Sequence, residues 1–242
     1  MTDHNRINDA GKWKLCLRET PPKRMQWAMK RIQDAQLYGI VDLGYVQPEN
    51  VWRMTQALCE GGVDVLQLRA KKIVKSEVER LARIMLLVTR EHGVPLVIND
   101  HLDVAASVGS EGVHVGQDDD AVAKARAVVG SSCFVGKSTH SLAQAENAQA
   151  EGADYIGFGP LYATGTKPDY LPIGLNDIAE VHRRVWLPVF CIGGVNAARL
   201  DEIVAAGAKR VVVVSAFLLA ADVSGEVRAL KQRLPAISSP AG

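Results

Sequence analysis

From position 36 the chain repeats one rhythm. A short run of β-branched and apolar residues comes first, then polar or glycine punctuation, then apolar residues at helical spacing. The apolar runs are LYGIVD (37–42), VDVLQLR (63–69), VPLVIN (94–99), GVHV (112–115), CFVG (133–136), DYIGFG (154–159), LPVFCI (187–192) and RVVVVS (210–215). Between and after them, helical patterns cover 49–60, 76–91, 102–108, 122–129, 142–150, 175–184, 197–206 and 216–233. Pro48 and Asn196 mark helix starts, and Gly61, Gly93, Gly109, Gly130, Gly152 and Gly207 mark stops.

Eight strands alternating with eight helices predict parallel βα units. Setting aside the first 35 of the 242 residues leaves 207, or about 26 per unit. A closed (β/α)8 TIM barrel uses roughly 200–250 residues, so the count fits. A doubly wound open sheet is the rival, and it often carries G-x-G-x-x-G after its first strand. No such turn follows LYGIVD. The expected fold is therefore α/β: a single TIM barrel over 36–235, with an N-terminal extension over 1–35 and a tail over 236–242.

Composition changes this picture little. The chain is 48% hydrophobic and 23% charged, which is ordinary for a globular protein. No apolar run reaches the roughly 18–20 residues that span a bilayer, and the first residues lack the apolar core of a secretory signal. A formal net charge of +1 argues against general attraction to nucleic acid. Cys16, Cys59, Cys133 and Cys191 show no CxxC spacing, so they read as structural thiols of a cytoplasmic protein. Small molecules are the expected partners, with a homo-oligomer left open. The extension differs from the rest, holding eight Lys/Arg against four acids, with a helix pattern over 23–36.

Barrel chemistry sits at the C-terminal ends of the strands, and polar residues collect there. Gln67, Arg69 and Lys71 follow the second strand, and Asn99 and Asp100 the third. GQDDD (116–120) follows the fourth, Lys137, Ser138, Thr139 and His140 the fifth, and Thr164-Gly165-Thr166-Lys167 the sixth. Gly193 and Gly194 follow the seventh, and Ser215 ends the eighth. The junctions that precede the strands are mostly small or apolar. Arg69, Lys71 and Lys167 are cations; Ser138, Thr164, Thr166 and the amides near Gly194 are neutral donors. Together they describe a phosphate site. Arginine forks onto two oxygens, lysine acts as a point charge, and glycine lets backbone N–H groups come close.

Asp100 and Asp119 fall on the same rim. At ~4 Å and an effective dielectric near 20, a carboxylate beside a phosphate costs about 4 kcal/mol. A divalent cation between them reverses the sign, and Mg2+ commonly takes one or two carboxylates plus phosphate oxygens. The mixture points to a Mg2+-bound polyphosphate. Plainer readings stand beside it. Arg69 can be a structural ion-pair partner in the barrel mouth, and the acids 118–120 can cap a helix. His114, within a strand, reads as a packed core histidine. His140 borders the rim without a defined role. No zinc spacing and no Ser-His or Cys-His nucleophile pair is evident.

QLRAK (67–71), VINDHLDVA (97–105), GVHVGQDD (112–119), GKSTHS (136–141), GADYIGFGPLYATGTKPD (152–169), CIGGVN (191–196) and VVVVSA (211–216) together resemble the thiamine-phosphate synthases, collinearly from about 37 to 220. The resemblance implies a TIM barrel joining 4-amino-2-methyl-5-hydroxymethylpyrimidine diphosphate to 4-methyl-5-(2-hydroxyethyl)thiazole phosphate, with release of pyrophosphate. It implies that Gln67, Leu68, Arg69, Ala70, Lys71 and Asn99 bind the pyrimidine diphosphate. Asp100 and Asp119 would hold Mg2+, and Ser138 and Lys167 would contact the diphosphate. Thr164, Gly165, Thr166, Gly194, Val214 and Ser215 would position the thiazole phosphate. Arg69, Lys71, Ser138 and Lys167 are the implied catalytic set, and the implied mechanism is dissociative.

Three departures accompany the likeness. LYGIVD stands where the family commonly has a threonine before the aspartate, Lys137 replaces a small or aliphatic residue, and the basic extension is additional. Rival readings are a thiazole tautomerase, a catalytically silent phosphate-binding regulator, and a sugar-phosphate isomerase.

Overall fold

The computed structural model describes residues 31–117, 121–165 and 171–237. Eight parallel strands close into one barrel in chain order: β1 (Leu37–Asp42), β2 (Val65–Arg69), β3 (Leu96–Asn99), β4 (Gly112–Val115), β5 (Phe134–Thr139), β6 (Tyr155–Phe158), β7 (Val189–Cys191) and β8 (Val211–Val213). Around it lie α1 (Val51–Gly61), α2 (Lys75–Glu91), α3 (Leu102–Val108), α4 (Val122–Val129), α5 (Leu142–Ala150), α6 (Ile178–Arg184), α7 (Leu200–Ala205), α8 (Ser215–Leu218) and α9 (Val223–Gln232). The TIM barrel expected from the pattern is the fold found. The bulk of the extension (1–30), the acids 118–120, the segment 166–170 and the last five residues lie outside the described residues.

Alternation along each strand sorts side chains between two cores. Leu37, Val41, Leu66, Leu68, Ile98, Val113, Val135 and Ile156 face the helices and join the large outer core. Tyr38, Ile40, Val65, Val97, Tyr155, Phe190 and Val212 face inward and fill the barrel. Each such aliphatic side chain, fully removed from water, contributes about 1.5–3 kcal/mol. The interior holds large rings because its neighbours are small. A Cβ at Gly112 would overlap the Phe134 ring, and one at Gly136 would overlap the Tyr155 ring.

Several boundaries differ from the pattern's prediction. The last helix is two helices, because Asp222 caps α9 by accepting from the Gly225 N–H at 2.9 Å. Gly61 does not stop α1. It lies inside the helix, where an added Cβ would sit 2.6 Å from Val227, and Gly62 takes the left-handed cap at φ +100°. Asn196 accepts the Arg199 N–H at 3.0 Å in a turn, and α7 begins only at Leu200. α4 has Ala121 in its cap position, and the expected caps at 118–120 fall outside the described residues. β5 runs on through Thr139, so Lys137 is inside a strand rather than beyond it. Its side chain is buried on the helix-facing side and bonds Glu151 at 3.1 Å.

The junctions before the strands are less bland than their glycines imply. Asp64, Glu111 and Asp154 stand immediately before β2, β4 and β6. Asp64 accepts the N–H groups of Gln36 and Leu37, both at 3.0 Å, and pairs with Lys231 at 2.6 Å. Glu111 accepts from Leu96 at 3.0 Å and pairs with Arg90 at 3.1 Å. Asp154 accepts from Val135 at 2.7 Å and pairs with Arg126. Each acid thus satisfies an N–H at the start of the preceding strand and is neutralised by a helix cation. The 3-10 turn Ile32–Asp34 closes this floor. Arg210 holds it by donating to the carbonyls of Ala35 at 3.0 Å and Gln33 at 2.9 Å.

Candidate active site

A cavity opens at the C-terminal ends of the strands. Its lining includes Gln67, Arg69, Asn99, Ser138, Thr164, Gly194, Val214 and Ser215, eight of the residues expected to bind substrate. β2, β3 and β5 supply Gln67, Arg69, Asn99 and Ser138 from their inner faces, where positions two apart on a strand share a side, and the segments after β6, β7 and β8 supply the rest. The same alternation turns Leu68 and Ala70 outward into the helix-facing core, so their side chains lie away from the cavity. Gly165 and Lys71 are exposed nearby, outside the lining. Asp119, Thr166 and Lys167 are outside the described residues.

Arg69 lines the cavity and is also a structural partner. Its Nη1 donates to Asp42 Oδ2 at 2.6 Å, and both side chains are largely buried. Asp42 Oδ1 accepts the Gly44 N–H at 2.8 Å, which anchors the carboxylate at the end of β1. The remaining donors of the guanidinium fork are available to an anion. Lys71 pairs with Asp100 at 2.9 Å, and Asp100 adopts a left-handed conformation at φ +63°. One expected diphosphate cation therefore rests on one expected metal ligand.

The loops after β6 and β7 lock together through their glycines. Leu161 N–H donates to the Ile192 carbonyl at 2.8 Å, and Tyr162 N–H to the Gly193 carbonyl at 3.2 Å. A Cβ on Gly193, at φ +101°, would press within 2.5 Å of Pro160. Gly194 follows at φ +70°, and its carbonyl accepts from Arg199 at 3.0 Å. Arg199 stacks 4.2 Å above the Tyr162 ring. His140, whose role the pattern left open, lines the cavity and bonds the Gly159 carbonyl.

His114 is not sealed in the core as expected. It lines the cavity, with Nε2 at 2.9 Å from Ser138 Oγ and Nδ1 at 3.0 Å from Tyr155 OH. A serine–histidine contact is therefore present, although none was evident along the chain. Its orienting partner is a phenol rather than the carboxylate of a hydrolytic triad. Tyr155 OH lies 3.1 Å from Tyr38 OH, which accepts from Gln67 Nε2 at 2.9 Å. Burial raises the pKa of both phenols well above the ordinary range, so both keep their protons. Asp42, Tyr38, His114, Tyr155 and Phe190 are the site residues that pattern reading missed. The inward alternation that selects Gln67 and Arg69 also selects His114, which pairs with Asn99 across the β3–β4 register.

The thiols behave as expected where they are described. Cys59, Cys133 and Cys191 are free and buried, and burial pushes Cys133 up to about 11 and Cys191 up to about 12. No described helix is long and apolar enough to cross a membrane.

The family model for thiamine monophosphate synthase matches residues 37–217, from the first strand to α8. The chain belongs to the thiamine monophosphate synthase family. Membership makes it an enzyme of thiamine-phosphate synthesis. It is 40% identical over 205 residues to the thiamine-phosphate synthase of Chloroflexus aurantiacus, covering 84% of this chain and 94% of that one. It is 36% identical to that of Halalkalibacterium halodurans, over 80% and 92% of the two chains. The thiamine phosphate pyrophosphorylase of Pyrococcus furiosus superposes with a TM-score of 0.76 at 29% identity, covering 83% of this chain and 96% of that one. A 3-hexulose-6-phosphate synthase superposes with a TM-score of 0.60 at 19% identity, a likeness of fold alone.

Proposed function

We propose that this mouth couples 4-amino-2-methyl-5-hydroxymethylpyrimidine diphosphate to 4-methyl-5-(2-hydroxyethyl)thiazole phosphate, giving thiamine phosphate and pyrophosphate. The carrying observation is the convergence of Gln67, Arg69, Asn99, Ser138, Thr164, Gly194 and Ser215, drawn from six strand ends, on one cavity. Arg69, Lys71, Ser138 and Lys167 gather on the diphosphate. Thr164, Gly165, Thr166, Gly194, Val214 and Ser215 gather on the thiazole phosphate.

The coupling is dissociative. The bond from the pyrimidine methylene to the diphosphate oxygen breaks first, and its electron pair leaves with pyrophosphate. The ring amino group delocalises the resulting cation, and the thiazole nitrogen captures it. Nothing in this sequence needs a protein nucleophile. It needs positive charge and donors set around the departing oxygens, which is electrostatic catalysis by preorganised groups. Arg69 serves this end because Asp42 fixes its fork before substrate arrives. Tyr38, Tyr155 and Phe190 wall the inner cavity with aromatic surface suited to a delocalised cation.

A magnesium ion fits this donor set in one respect. Asp100 presents a hard carboxylate at the mouth beside Lys71, and Mg2+ accepts one or two carboxylates with phosphate oxygens completing its shell. Asp100 and Asp119 would hold it. Once bound, the ion neutralises charge on the leaving diphosphate. The described residues contain no cluster of three or more His, Cys, Asp or Glu side chains able to hold a metal by themselves. Phosphate oxygens of the substrate would complete its shell.

The test is direct. Both substrates and Mg2+ are mixed with the enzyme, and pyrophosphate and thiamine phosphate are assayed. Stoichiometric formation of both is expected. Isomerisation of the thiazole phosphate alone, or binding without pyrophosphate release, would overturn the proposal.

A further inference from the structure

Five side chains from five strands form an unbroken hydrogen-bonded chain across the barrel interior: Gln67, Tyr38, Tyr155, His114 and Ser138. The separations are 2.9, 3.1, 3.0 and 2.9 Å in that order. Gln67, Tyr38 and Tyr155 are each no more than 3% exposed, so their polar atoms are committed mainly to one another. All five line the cavity, with Gln67 at one end of the chain and Ser138 at the other.

The chain has a direction. The Gln67 amide nitrogen can only donate, so Tyr38 oxygen accepts from it. Tyr38 then spends its own proton on Tyr155, and Tyr155 spends its proton on His114 Nδ1. With Nδ1 accepting, the neutral imidazole carries its hydrogen on Nε2 and donates it to Ser138 Oγ. The Ser138 hydroxyl hydrogen is thereby directed away from the ring, toward the cavity. The opposite tautomer would need Tyr155 to accept from Nδ1, Tyr38 to accept from Tyr155, and the Gln67 amide to turn over so that its oxygen faces Tyr38. With the amide nitrogen on Tyr38, as it is here, two donors would face each other.

From this geometry we propose that His114 is a positioning residue, held as its Nε2–H tautomer by the Gln67–Tyr38–Tyr155 chain so that Ser138 is a committed donor toward a bound anion. His114 is then no base for Ser138, and the serine–histidine contact does not make a nucleophile. The polarity of the two ends is coupled. An amide that donates inward leaves its carbonyl for a ligand at one end, and the same polarity presents a hydroxyl donor at the other. The kinetic part of this inference rests on the coupling reaction proposed above, whereas the tautomer is a property of the protein without substrate.

The experiment reads both. Histidine ring nitrogens are labelled with 15N, and His114 is assigned by comparison with His114→Gln. Two-bond 1H–15N correlations on the ligand-free protein are expected to show the Nε2–H form. Gln67→Glu, which places an acceptor where the donor was, is expected to switch the ring to hydrogen on Nδ1. Tyr155→Phe keeps the ring contacts with Tyr38, Phe134 and Phe190 but removes the link. It is expected to abolish the single tautomer and lower kcat about tenfold, as for loss of one hydrogen bond to a working donor, with KM for the thiazole phosphate unchanged. If Gln67→Glu does not fold, the wild-type and Tyr155→Phe spectra decide. An Nδ1–H ring in the wild type, or an unchanged tautomer in Tyr155→Phe, overturns the inference. A wild-type enzyme that releases no pyrophosphate while His114 shows the Nε2–H form overturns the proposed reaction and leaves the tautomer assignment standing.

Discussion

The two rims of this barrel use the same residue types for opposite ends. At the floor, Asp64, Glu111 and Asp154 each grip a strand N–H and a helix cation, so charge is spent on the backbone. At the mouth, Asp42 and Asp100 grip side chains, Arg69 and Lys71, that keep other donors free. Lys71 is 49% exposed, and the pair it makes is of the weak surface kind. An arriving anion can take such a lysine from its carboxylate, whereas the floor acids hold strand N–H groups that face no cavity. Carboxylate–cation pairs thus tie strands together at one rim, and at the other they hold cations that face the cavity or solvent. The difference lies in which backbone the carboxylate binds: the floor acids hold the N–H of another strand, whereas Asp42 holds only Gly44 in its own turn.

The largest break in this comparison is expected from Lys167→Ala. It should lower kcat for coupling by about 10²–10³-fold, as for loss of a key electrostatic donor, with an unchanged melting temperature. Full kcat in that variant would remove the mouth's claim on this lysine. At the floor the pattern should invert. Asp64→Asn leaves Lys231 without its ion pair and weakens the bonds to Gln36 and Leu37, at a cost of about 2–4 kcal/mol by denaturant titration. Its kcat per folded molecule should not change. A loss of kcat at full stability would show that the two rims are not separate.

Acid should attack the floor as well. His182, on the last turn of α6, is pulled down to about 4 by burial and by the cations Lys209 and Arg210. Its folded pKa lies below the unfolded value near 6.5, so the unfolded chain binds the extra proton. Stability should therefore fall as pH drops from about 6.5 to about 4 and level off below that. The loss should be on the order of 3 kcal/mol. His182→Leu should flatten this slope, and a slope that persists would place the sensitive group elsewhere. The smallest effect is expected from Lys137→Met. Because Lys137 faces the helices and pairs with Glu151, KM for the diphosphate should stay constant and stability should change by less than about 1 kcal/mol. A raised KM would return Lys137 to the mouth.

The alternation of β-branched runs and helical patterns was enough to predict eight βα units, because each element buries one face and writes its period into the chain. The rim that carries chemistry was legible for a related reason: Gln67, Arg69, Asn99 and Ser138 interrupt otherwise apolar strands near their ends. Helix ends were less legible. Gly61 and Gly62 are indistinguishable as letters, and only packing against Val227 separates the one that needs no Cβ from the one that needs a positive φ. The floor acids are not legible in the sequence, because an acid in a short glycine-containing junction reads as an ordinary turn. Their bonds go to strand starts 15 to 28 residues away or to a helix at the far end of the chain.

What the sequence by itself determined is the fold, the rim at which the cavity opens and the family, since these rest on periodicity and on short motifs that survive without coordinates. What only the tertiary structure decided is which groups touch. That Arg69 rests on Asp42, that Lys137 turns outward, and that His114 joins Ser138 to a file of buried hydroxyls all depend on strand register and barrel closure. The physical reason is that a strand's own pattern tells which side of the sheet a residue takes. Its partners there come from other strands, brought within hydrogen-bond range only when the barrel closes.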